Sequence, residues 1–278
     1  MRCDLHMHST VSDGSLTVFE LLEVVKASGV SAFALTDHDS VDGMAEAALL
    51  SKLHGLHHVT GVEISTRIDQ LELHILGYGF DAEHPALLTM LEGQKAARHQ
   101  RIPKLVKRLN DLGVDLTVED VFAAAGISNP GRPHVARALV LKGICRDTED
   151  AFRRFLGDGG PANVRKPVPE PRDAISWIHA AGGKAVWAHP LARPIHRQGG
   201  FDTLARGLRE AGLDGIEEVH PGQDATARKR VRRVAGELGL KLTGGSDFHG
   251  AASPGVSVGK GRGHDAVPMD TLEALLSA

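Results

Sequence analysis

Cysteine is nearly absent from this chain: Cys3 and Cys145 are the only two in 278 residues. That excludes a disulfide framework and a cysteine-based zinc site. No run of 18 apolar residues occurs, so no membrane-spanning segment is expected. Met1 leads at once into a strand-like run with no charged-then-apolar leader, and a reducing cytoplasm is the expected setting. Excess positive charge is missing too. A formal net charge of −3 offers no general basic surface for long nucleic acid. There is no Gly-x-Gly-x-x-Gly, and Gly255 to Gly261 (GVSVGKG) has neither the spacing nor the Ser/Thr of a phosphate-binding loop. NTPase and dehydrogenase readings fall with it.

What is present is an alternation of strand and helix signals. Apolar runs near 2–8, 31–37, 58–65, 71–78, 184–188, 214–219, 241–245 and 255–259 read as strands. Amphipathic stretches at 17–28, 42–54, 171–181, 201–211 and 223–238 read as helices, and Gly29, Gly182, Gly212 and Gly239 fall where left-handed helix ends belong. Alternating βα units imply a parallel sheet, and this many of them favour a barrel with its site at the carboxyl ends of the strands. Between 85 and 165 the pattern turns helical, near 85–111, 117–125, 132–142 and 149–156. The expected organisation is a barrel from 1–84 and 166–278 carrying a small all-helical insertion at 85–165 that recognises substrate. Residues 93–166 hold fourteen Lys/Arg against eight Asp/Glu. An acidic body with a basic insert suits a small anionic substrate better than a polymer.

Histidines fall in or just after those apolar runs. His6 and His8 share one strand face, and Asp4 has the same parity and so could orient an imidazole. Asp13 follows in Val-Ser-Asp-Gly; His38 stands in Thr36-Asp37-His38-Asp39; Glu63 ends Val-Thr-Gly-Val-Glu. His74, His189 (before Pro190), and Asp247 with His249 in Gly-Ser-Asp-Phe-His complete the series. Any one of these alone reads as a hydrogen-bonded core residue or a helix cap. Together they would bury uncompensated charge at one end of six strands, which is strongly unfavourable unless a cation sits among them. The set predicts a multinuclear metal centre and a metal-dependent hydrolase.

These segments, Asp-Leu-His-Met-His-Ser, Thr-Asp-His-Asp, Gly-Val-Glu, His74, Ala-His-Pro and Gly-Ser-Asp-Phe-His, resemble the PHP (polymerase and histidinol phosphatase) family. The resemblance spans both ends of the chain and omits the insertion. It implies an α/β fold, a distorted (βα)7 TIM-like barrel, with three divalent metals. One metal is implied at His6, His8, Glu63 and Asp247, a second at Glu63, His74 and His189, and a third at Asp13, His38 and His249. Mixed imidazole and carboxylate ligation suits Mn foremost, with Fe or Zn as alternatives. A metal-bridging hydroxide is then expected to attack phosphorus directly.

Substrate choice should rest with the insertion. Six basic residues and no acid occur in 95–108; most lie opposite the apolar stripe as a solvated face, whereas Arg98 lies on the stripe itself. Arg98 is either a core-snorkelling side chain or a substrate contact. Arg132 and His134, in Gly-Arg-Pro-His, open a helix and are candidate phosphate contacts, the alternative being a loop arginine and a capped histidine. Lys166 and Arg193 are further substrate candidates; Asp37 and His196 are the acid–base candidates. The helical insertion resembles the stand-alone subgroup acting on nucleoside 3′,5′-bisphosphates and on 5′ ends of short RNA. Removal of the 3′-phosphate from a nucleoside 3′,5′-bisphosphate is therefore expected, with 5′-3′ trimming of short RNA and histidinol phosphate hydrolysis as alternatives. A metal-stabilised nucleic-acid-binding module is the non-enzymatic alternative. No membrane and no obligate protein partner are expected.

Overall fold

The computed structural model describes residues 1–126, 129–192, 200–260 and 267–277. Eight strands form one sheet: β1 (Arg2–Asp4), β2 (Ala32–Leu35), β3 (His57–Ile68), β4 (Leu71–Tyr78), β5 (Lys184–Trp187), β6 (Gly215–Val219), β7 (Lys241–Gly244) and β8 (Val267–Pro268). Their order is β7-β6-β5-β4-β3-β2-β1-β8. The sheet nearly closes: beyond the strands proper, His8 N–H donates to the Phe248 carbonyl (2.9 Å) and Asp247 N–H to that of His6 (2.8 Å). This seam depends on Gly245, where an added Cβ would sit 2.3 Å from the His6 Cβ. The result is an α/β, TIM-like barrel with helices outside.

Two expectations about the strands need correction. The sheet is not wholly parallel: β3 and β4 form an antiparallel hairpin across Asp69-Gln70, and β4 is antiparallel to β5. Two residues are too few for a crossover helix, so the second strand must run back. The run 255–259 is not a strand. Gly255 and Gly259 hold positive φ of 82° and 74°, and Val258 plugs the core from a turn. The eighth strand is the short β8, antiparallel to β1.

The strands sort their side chains by alternation. On β2, Phe33 and Leu35 pack under the helices while Ala32 and Ala34 fill the barrel interior with Leu5, Leu76, Tyr78 and Val186. The helices on the outer layer begin with α1 (Val18–Ser28), whose Thr17–Glu20 capping box supplies the start that its first turn needs. The four glycines placed at helix ends all take positive φ, from 65° to 101°.

From β4 the chain enters α2 (Pro85–Asp111), then α3 (Val118–Ala125), α4 (Arg132–Leu141), α5 (Thr148–Ala151) and a π-helical turn, Phe152–Leu156. These helices have their own apolar cluster, including Ile102, Leu105, Leu109, Val135 and Leu139, separate from the barrel core. No helix among the described residues is long and apolar enough to cross a membrane.

Candidate metal centre

Glu63 is the hub. It lies on β3, fully buried, and its Oε2 is 3.2 Å from His6 Nε2, 3.2 Å from His8 Nε2 and 3.1 Å from His38 Nδ1. Its Oε1 is 2.7 Å from His74 Nδ1 and 3.0 Å from His189 Nε2. Asp247 places Oδ1 3.4 Å from His6 Nε2 and 3.3 Å from His8 Nε2. Asp13 meets His249 Nε2 at 3.2 Å and His38 Nε2 at 3.8 Å. Five different strand ends thus bring their imidazoles onto two carboxylates and a third nearby.

The backbone bends to achieve this. His189, Asp247 and neighbouring Asp39 hold positive φ of 30°, 51° and 52°, three of the four such non-glycine residues among those described. That conformation costs free energy for residues with a Cβ, and it clusters where a site over-determines it.

Among the described residues, three sets of donor atoms lie within 4.8 Å of one another: His8, Asp13, His38 and His249; His6, His8, Glu63 and Asp247; His38, Glu63 and His74. His189 belongs to none of these sets, although its Nε2 faces Glu63. Burial alone would oppose ionisation of Glu63, Asp13 and Asp247, yet the surrounding imidazoles hold all three well below the usual carboxylate range. Burial pushes His38 down to about 3 and His189 to about 4, leaving the neutral form that ligates metal. His8 Nε2 and His38 Nδ1 are buried without a hydrogen-bond partner. Orphaned buried nitrogens aimed at carboxylates are what a divalent cation would satisfy.

Beside the cluster lies a cavity of about 150 Å³ walled by Arg98, Arg101, Arg132 and Lys166, with His38 and His74 on its inner side. Arg98 donates from Nε to Asp39 Oδ2 (3.0 Å), and Lys166 Nζ to the same oxygen (2.6 Å) and to Gln94 (3.2 Å). Arg132 pairs with Glu72 (3.1 Å) and Asp158 (3.0 Å). Arg101 is not on a solvated face: it is buried, donates to Asn163 (3.1 Å), and leaves its Nε unpartnered. Burial pushes its guanidinium down to about 9 and the Lys166 amine to about 8, with neighbouring cations adding to both.

The other candidates stand apart from the ligand cluster. Asp37 accepts from Ser9 N–H (2.8 Å), Ser9 Oγ (2.7 Å) and Ser12 Oγ (2.6 Å), so its carboxylate holds the loop after β1. His134 uses Nδ1 to accept from Gly131 N–H (3.0 Å), capping its own helix. Arg193 and His196 lie outside the described residues. Asp4 does not orient an imidazole: it accepts from the backbone N–H of His6, Ser246 and Gly259. Glu217 takes that place, with Oε1 3.0 Å from His6 Nδ1. His220, whose Nε2 is 3.1 Å from Asp247 Oδ2, also enters the site. Both follow the rule that found the others, a charged or imidazole group in or just after an apolar run, here Gly-Ile-Glu-Glu-Val-His.

Comparison with known proteins agrees with this geometry. Residues 4–117 match the PHP domain model. The chain is 38% identical over 246 residues to a 5′-3′ exoribonuclease of Haemophilus influenzae, covering 88% of this chain and 89% of that protein. It is 34% identical over 259 residues to a 3′,5′-nucleoside bisphosphate phosphatase of Chromobacterium violaceum, covering 92% and 90%. A solved structure from Bifidobacterium adolescentis, described as a metal-dependent phosphoesterase, superposes with a TM-score of 0.90 at 30% identity, covering 99% of this chain and 95% of that one. Imidazoles and carboxylates gathered at strand ends, on a chain this similar over nearly its whole length, make the protein a member of the PHP domain family and a metal-dependent phosphoric ester hydrolase.

Proposed function

We propose that the chain removes the 3′-phosphate from nucleoside 3′,5′-bisphosphates, releasing the 5′-nucleotide and phosphate. One observation carries this reading: the cavity walled by four cations shares His38, His74 and Asp13 with the metal cluster. Two anion-binding loci side by side suit a substrate with two phosphates on one nucleoside. Three divalent ions, Mn foremost, would be held by His6, His8, Glu63 and Asp247; by Glu63, His74 and His189; and by Asp13, His38 and His249. When bound they supply an acidified water and neutralise charge on the phosphoryl oxygens. The chain's own part is to orient. Arg98, Arg101, Arg132 and Lys166 grip the 5′-phosphate, and Glu63 holds five imidazoles toward the scissile phosphate. Four cations also argue against histidinol phosphate, whose amine they would repel. The two free buried thiols, Cys3 and Cys145, suit a reducing cytoplasm.

A second reading, 5′-3′ hydrolysis of short 5′-phosphorylated RNA, draws on a different observation. A groove of about 570 Å³ runs outward from Asp13, Asp247 and His249 toward Arg137 and Arg146. A bisphosphate has no third phosphate to give those arginines, whereas an oligonucleotide does. The deciding assay compares adenosine 3′,5′-bisphosphate, 5′-AMP, 3′-AMP, histidinol phosphate and 5′-phosphorylated di- and trinucleotides with Mn-loaded protein. Preference for the bisphosphate over 3′-AMP supports a separate 5′-phosphate locus; equal rates on both would sink it.

A further inference from the structure

Two of the metal-facing side chains, and the backbone of a third residue, are held from behind by one strand end that contributes no member of the three donor sets. β6 runs out through Glu217-Glu218-Val219-His220-Pro221-Gly222-Gln223. Glu217 is fully buried, and its two oxygens divide their work. Oε1 stands 3.0 Å from His6 Nδ1, and Oε2 accepts from the backbone N–H of His189 at 2.7 Å. A carboxylate at Nδ1 holds a ring proton there, which leaves Nε2, 3.2 Å from Glu63 and 3.4 Å from Asp247, as the nitrogen that a cation between them would take. His220 works on the other side. Gly222 N–H donates to its Nδ1 at 2.9 Å, which places the ring proton on Nε2, and Nε2–H reaches Asp247 Oδ2 at 3.1 Å.

That leaves Asp247 Oδ1 for the space it shares with His6 Nε2 and His8 Nε2. Asp247 needs such help: its side chain is 27% exposed and its backbone sits at φ 51°, so without a partner it would turn toward water. The strand end is itself locked. Buried Gln223 donates to the Glu217 carbonyl (3.1 Å) and the Glu218 carbonyl (2.8 Å) and accepts from Leu191 N–H (2.9 Å). Gly222 has no room for a side chain, since an added Cβ would meet the Ala192 Cβ at 2.8 Å and His220 Nδ1 at 3.2 Å.

We infer that Glu217 and His220 are positioning residues that set the divalent-cation affinity of the His6, His8, Glu63 and Asp247 locus. Outer partners of metal ligands fix tautomer and rotamer, and their loss typically weakens metal binding by about 10- to 100-fold. The inference rests on the metal-centre reading and not on the choice of substrate.

The test is titration of metal-free protein with Mn²⁺, followed by calorimetry and by the loss of free-ion EPR signal. His220→Ala should weaken the tightest Mn²⁺ step by about 10- to 100-fold, with turnover recovering at saturating Mn²⁺. His220→Gln keeps an N–H able to reach Asp247 and should regain part of that affinity. Glu217→Gln keeps the shape and loses the charge, and should fall on the same step. Wild-type affinity in His220→Ala would overturn the inference, as would a turnover loss that saturating Mn²⁺ does not restore. Wild-type protein that binds no divalent cation would instead overturn the metal-centre reading itself.

Discussion

The metal cluster and the cationic cavity touch, yet they are built in opposite ways. In the cluster, side chains from the strands and the loops that follow them set imidazoles around three carboxylates, Glu63, Asp13 and Asp247. In the cavity, the groups come mainly from helices of the insertion and from the return to the barrel, and like charges are crowded. Arg98 and Lys166 share one oxygen of Asp39, while Arg101 has no carboxylate partner among the described residues. Asp13 and Glu72 also line the cavity, so its four cations are only partly balanced. The contrast supports a division of labour, a cation suited to the imidazoles and carboxylates and an anion suited to the arginines and Lys166.

Asp247→Asn should act most strongly. Asp247→Asn should leave the far-ultraviolet circular dichroism spectrum intact while lowering turnover more than the roughly 100-fold ceiling seen for outer partners. Steady-state kinetics at saturating metal measure this, and unchanged turnover would remove Asp247 from the ligands. Next comes Arg101→Ala. It should raise KM for a bisphosphate about 10-fold or more, the worth of one charge-assisted hydrogen bond, and leave an aryl phosphate unaffected. Equal effects on both substrates would return Arg101 to packing.

A pH effect of moderate size follows from Lys166. Burial sets its amine near 8 against an ordinary 10.5. As pH rises through about 8 the folded protein loses this charge, so KM for the bisphosphate should climb while that for an aryl phosphate stays flat. The linked stability has the opposite sign from a gained ion pair. Between about 8 and 10.5 the unfolded chain binds the extra proton, so this group's contribution to stability rises with pH across that window. Lys166→Met should flatten the KM profile. The smallest effect belongs to Lys107, on the same helix as Arg101 but pairing with exposed Asp111. Lys107→Ala should leave KM for the bisphosphate unchanged, since exposed pairs of this kind contribute little.

Legibility in the sequence followed the same division. His6, His8, His38, Glu63, His74, His189 and Asp247 could be found because a polar group in or after an apolar run is costly, and the run itself marks the strand. Glu217 and His220 obeyed that rule and were overlooked in a segment read only as a strand. Arg101 was misread because helical periodicity assigns a residue to the side of its own helix. Three residues after Arg98 and four before Leu105, Arg101 shares the buried side of the helix, which faces Lys166.

The βα rhythm, the run of helices after β4 and the inventory of metal-competent groups were legible in the chain alone, because these depend on local periodicity and on the cost of burying charge. Two outcomes came only with the folded barrel: 255–259 became a plug, and Arg101 came to stand beside Lys166. Those outcomes depend on which surfaces meet when the barrel closes and the insertion folds against it, and no local pattern encodes a contact between segments some 65 residues apart such as Arg101 and Lys166.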